Sequence, residues 1–70
     1  MEKLIQFVMK DRYCTRKQAI NAIDQVKYEI SMAMQDYMET EDDAYYDEAL
    51  SLAESFVGMN NTEFVFDLFM

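Results

Sequence analysis

Apolar side chains recur along this chain at the three- and four-residue steps of an amphipathic helix, in four separate stretches. In the first, Leu4, Ile5 and Val8 make a stripe that Phe7 and Met9 widen, which predicts a short helix over Glu2–Lys10. Arg12-Tyr13-Cys14 reads as a connection. Thr15 then opens a second helix as an N-cap, and Gln18 three residues later completes a Thr-x-x-Gln capping box. Cys14 and Ala19 stand where the two partners of a hydrophobic staple belong, so Cys14 is expected to pack rather than react. From about Arg16 to Tyr37 or Met38, the residues Ala19, Ile20, Ile23, Val26, Ile30, Ala33, Met34 and Tyr37 share one broad face.

Glu39-Thr40-Glu41-Asp42-Asp43 is a polar joint, in which Asp42 or Asp43 can cap a third helix over Ala44–Val57. Tyr45, Ala49, Leu52, Ala53 and Phe56 would face inward, with Tyr46 and Val57 at the margin. Gly58 is placed to stop that helix in a left-handed conformation, with Met59 supplying the hydrophobic contact that follows such a stop. Asn60 or Asn61 can cap a last short helix that Phe64, Val65, Leu68 and Phe69 fold back onto the others. The alternative for this end is a docking tail of Phe66, Phe69 and Met70.

The composition supports the helical pattern. The chain has no proline and a single glycine, and is rich in good helix formers. The expected fold is all-α: one domain over 1–70, a small bundle of three main helices plus a short C-terminal helix. With 51% apolar residues and many aromatics, a core is available and disorder is not expected. One cysteine excludes an internal disulfide, and the absence of histidine removes thiolate–imidazole metal sites. No apolar run is long enough to span a bilayer and none reads as an export signal. With the lone thiol, this points to a cytoplasmic setting.

Charge changes the picture most. All six bases lie within the first 27 residues, with only three of the fourteen acids, Glu2, Asp11 and Asp24. Beyond Lys27 the other eleven acids have no Lys or Arg among them, and the net charge is −8. Such segregation sets up a field that steers basic partners and opposes binding to nucleic acid or anionic membranes. Glu29 and Asp36 form one acidic stripe on the second helix. Asp43, Asp47 and Glu54 form another on the third, within about 40° of arc. Neither has the neighbouring Lys or Arg that an ordinary solvated helix uses. These five carboxylates are the candidate partner-binding face; the alternative is that they only confer solubility. Tyr28 and Met32 fall off the main apolar stripe, one turn apart, and are candidates for an apolar contact with a partner or a second copy; the alternative is that the first or the last helix covers them within the monomer.

Other chemistry is thinly supported. There is no histidine, nucleophile elbow or phosphate-cradling glycine loop, so catalysis is not expected and no cofactor is implied. Glu39–Asp43 lacks the order and the glycine of a calcium loop, so no metal site is expected. Lys10, Arg12, Arg16 and Lys17 bracket the start of the second helix. They are a candidate anion or self-association site, and the short helix, turn and second helix there look like part of a helix-turn-helix. The purely acidic remainder opposes direct DNA binding.

Leu4-Ile5, Met9-Lys10-Asp11-Arg12, Thr15-Arg16-Lys17-Gln18-Ala19, Val57-Gly58-Met59 and Phe64-Val65-Phe66-Asp67-Leu68-Phe69 together resemble the pattern of short acidic helical accessory proteins of bacteriophages and prophages. Asn60-Asn61-Thr62 replaces the acidic, proline-containing turn of that pattern. The resemblance implies a mobile-element origin. It carries over no activity of its own, but small acidic phage proteins often block a host enzyme, and the acidic face points to a non-enzymatic binding role against one with a basic, nucleic-acid-binding surface, as in anti-CRISPR and DNA-mimic inhibitors. The alternatives are a structural or regulatory homo-oligomer, such as a homodimer, and a small helix-turn-helix-like DNA-binding regulator.

Overall fold

A computed structural model describes residues 1–69, and the candidate tail residue Met70 lies outside the described residues. It is all-α, with no strand among the described residues: α1 (Glu2–Arg12), α2 (Arg16–Thr40), α3 (Asp43–Val57) and α4 (Thr62–Phe69). The 25 residues of α2 set the longest dimension, 38 Å, about what a 1.5 Å rise per residue gives. A joint of only Glu41 and Asp42 turns α3 back along α2, so the two form a helical hairpin. The short α4 packs across both, and α1 packs on α2.

The apolar stripes read from the sequence are the stripes that pack. Leu4, Ile5 and Val8 of α1, Ala19, Ile23, Val26, Ile30 and Ala33 of α2, and Ala49 and Ala53 of α3 are buried, as are Phe64, Val65 and Leu68 of α4. Small residues on α3 let its backbone approach α2 closely. The ring of Phe7 lies against that of Phe64, centroids 5.0 Å apart, and joins α1 to α4. No polar or charged residue is buried among the described residues.

The helix boundaries follow local chemistry. Thr15 Oγ1 accepts from the Gln18 N–H while Gln18 Oε1 accepts from the Thr15 N–H, the complete capping box. Cys14 is half-buried against the core, its Sγ 3.8 Å from the Val8 carbonyl oxygen. Asp42, not Asp43, caps α3, its Oδ1 accepting from Ala44 N–H. Helix α1 runs two residues beyond the expected end because Tyr13 adopts the left-handed conformation (φ 53°) and Cys14 N–H reaches back to Met9 O, the closure of a Schellman motif. Helix α2 extends to Thr40 and is ended by left-handed Glu41 (φ 56°), whose own N–H bonds to Tyr37 O, the simpler left-handed cap.

The C-terminal turn departs from expectation in four ways. Gly58 stops α3 at φ 92°, ψ 148°, outside the left-handed helical region and in one that only glycine adopts readily. Met59 is exposed instead of packed, as the left-handed helical stop that its hydrophobic contact accompanies is not formed. Asn61 occupies the capping position of α4 through its backbone carbonyl, but its side-chain Nδ2 donates backwards to Val57 O at 2.6 Å. It ties off the end of α3 rather than the start of α4. Val57, expected at the margin, is buried once α4 folds back over it.

Candidate partner-binding site

The hairpin of α2 and α3 has two sides. One carries α4: Tyr46 of α3 meets Phe69 of α4 and Tyr37 of α2, with ring centroids 6.4 and 5.7 Å away. Glu48 is two positions from Tyr46 and therefore projects on the opposite side of α3. On that side lies a groove with no helix over it.

The groove consists of two depressions of about 360 Å³ each that share Glu29 and Leu52. One end is lined by Ala22, Gln25 and Val26 of α2, Ser55 and Phe56 of α3, and Arg12 of α1. The Arg12 guanidinium carbon sits 4.3 Å above the centre of the Phe56 ring, a cation–π contact that seats the base at this end. The other end is lined by Tyr28, Met32, Ala33 and Asp36 of α2 and Glu48 of α3. Antiparallel pairing sets Glu48 across from the Met32–Asp36 turn. The floor is largely apolar; Asp36 and Glu48 border one end, Arg12 the other, and Glu29 stands between them, shared by both depressions.

Tyr28 and Met32 remain 65% and 46% exposed and are covered by neither α1 nor α4. Glu29 and Asp36, read from the sequence as an acidic stripe, share the groove with them. The second stripe goes elsewhere. Asp43, Asp47 and Glu54 lie roughly 140° around α3 from the Glu48–Leu52 edge, by helical spacing. Asp43 sits in the first turn of α3, where the helix dipole favours it, Asp47 is exposed, and Glu54 is half-buried. The groove's third carboxylate, Glu48, was not singled out from the sequence. Its one signal was its position one turn before Leu52, which matters only once the partner helix is in place.

The basic segment is divided among separate tasks. Arg16 makes a bidentate pair with Glu2, both contacts 2.6 Å, the only ion pair among the described residues. Hydrogen bonds from Arg16 and then Gln6 hold the Glu2 carboxyl down at about 2, against an ordinary 4.5, and the same pair raises Arg16. Both side chains are about half exposed, so screening by solvent keeps the contribution to stability well below what that shift implies. Arg12 is drawn to Phe56, whereas Lys10 lines a shallow hollow with Phe7, Asp11 and Tyr13, and Lys17 is exposed. Two of the four bases are thus engaged within the chain, Arg16 by Glu2 and Arg12 by Phe56.

Among the described residues, no three acidic or thiol side chains come together to hold a metal ion, and no helix is long and apolar enough to cross a membrane. Every buried side-chain polar atom described has a hydrogen-bond partner. Set against protein-family models, curated proteins and solved structures, the chain matches none.

Proposed function

We propose that this protein is a non-enzymatic binding protein that docks on a basic surface of another protein and blocks it, the natural target being the nucleic-acid-binding surface of a host enzyme. The observation that carries this reading is the groove between α2 and α3. There Glu29, Asp36 and Glu48 border exposed Tyr28 and Met32, with no cation paired to any of the three among the described residues. Unpaired like charges lower stability through repulsion, and the exposed apolar side chains among them lower solubility. A basic, partly apolar partner relieves both. The carboxylates of Asp43, Asp47 and Glu54 add long-range attraction that raises the rate of encounter. The resemblance to short acidic phage proteins is in keeping with an inhibitor of this kind.

The test is competition with nucleic acid. Immobilised protein is exposed to bacterial lysate at low and at high salt, and captured proteins are identified and assayed for nucleic-acid binding. The expected target is basic, is released by salt and by duplex DNA, and loses its own nucleic-acid binding when this protein is added. Targets that are acidic or neutral and indifferent to DNA would contradict the proposal.

A further inference from the structure

The geometry points to a basic amphipathic α-helix as the element that occupies the α2/α3 groove, with its N-terminal end at Asp36 and Glu48 and its C-terminal end at Arg12. This rests on the proposed binding function and gives the partner its shape. A pair of antiparallel helices offers two grooves. Here α4 fills one and the other is open. Along α2 the open groove extends from Ala22 to Asp36, about 21 Å at 1.5 Å per residue, the length of a helix of about four turns. Its floor steps at helical intervals through Val26 and Ala33 on one wall and Leu52 and Phe56 on the other, the ridge-and-groove surface that receives another helix.

Charge decides both the sign and the direction of the occupant. Asp36 and Glu48 border one end and Glu29 the middle, so the flanks of the incoming helix must carry Lys or Arg along that half. The positive end of its dipole, the N-terminus, is favoured by those carboxylates, and the negative C-terminal end by Arg12. A second copy of this chain is a poor occupant, because each copy carries a net charge of −8 and the two repel.

A fluorescein-labelled synthetic peptide of about four helical turns, with leucines along one face and lysines on both flanks toward its N-terminus, is the probe. A permutation of the same composition, with its leucines scattered around the helix, is the control. Fluorescence anisotropy is expected to show the patterned peptide binding at least about tenfold more tightly than the permuted one. Both Tyr28→Ala/Met32→Ala and Glu29→Gln/Asp36→Asn/Glu48→Gln should remove most of that advantage, with circular dichroism verifying that each variant is folded. A nitroxide on the peptide's first residue should broaden the amide signals around Asp36 and Glu48, and one on its last residue those around Arg12 and Phe56. Equal binding of the two peptides would overturn the helix groove while leaving a charge-driven binding function standing. Binding of neither would overturn both. The reverse broadening pattern would overturn the assigned direction, and a concentration-dependent dimer that excludes the peptide would show a second copy to be the occupant.

Discussion

The two acidic stripes carry charge of the same sign and both lack cation partners among the described residues, yet their surroundings differ. Glu29 and Asp36 meet Glu48 across a groove that also holds Tyr28, Met32 and Leu52. Asp43, Asp47 and Glu54 lie on the far flank of α3, and one of them is already accounted for by the helix dipole. A carboxylate alone attracts any cation from a distance. A carboxylate beside exposed apolar surface can hold a particular shape, because desolvation and charge act on the same partner. The first stripe is thus suited to contact and the second to steering.

Removing the apolar half of the groove should have the largest effect on binding. Tyr28→Ala/Met32→Ala is expected to weaken binding of a basic helical partner by tens of fold, on the order of 2 kcal/mol for two truncated contact residues, chiefly through a faster off-rate measured by stopped flow. Neutralising the groove carboxylates as Glu29→Gln/Asp36→Asn/Glu48→Gln comes next, about tenfold, and should be felt in both rates. The equivalent change on the other stripe, Asp43→Asn/Asp47→Asn/Glu54→Gln, should slow association by a few fold. That effect should vanish at high salt, where the Debye length falls to about 3 Å. Equal off-rate effects from the two triple variants would erase the distinction between the stripes.

Changes to the frame should lower stability without altering that distinction. Thr15→Ala removes the capping oxygen of α2 and is expected to cost about 1 kcal/mol in a denaturant melt while leaving the ratio of the two stripes unchanged. The smallest effect belongs to the Glu2–Arg16 pair. Because folding lowers the Glu2 pKa, its contribution is fully present above about 4.5 and is lost as pH falls toward about 2. The stability difference between wild type and Glu2→Gln should shrink over that acid window and be flat above it.

The fold was largely legible because its signals are local. Thr15 with Gln18 marks a helix start regardless of what surrounds it. The stripe from Ala19 to Tyr37 is long enough to fix one buried face of α2. What was not legible depends on chain reversal or on neighbouring helices. The side chain of Asn61 turns back to Val57 only because Gly58 bends the chain there, and Val57 is buried only because α4 returns over it. The candidate site divides in the same way. Tyr28 and Met32 stood out because they break the stripe of their own helix, and Glu29 and Asp36 because they lack local cations. Glu48 emerged only with the register of α3 against α2, and Arg12 as a groove residue only with its contact to Phe56.

The most direct measurement is amide mapping by nuclear magnetic resonance on isotope-labelled protein titrated with the patterned basic peptide at low salt. If the groove is the contact surface, the shifts should concentrate at Glu29, Met32, Asp36, Glu48 and Leu52, with Asp43 and Asp47 nearly still. Shifts centred on Asp43 and Asp47, or spread evenly over every acidic residue, would contradict it.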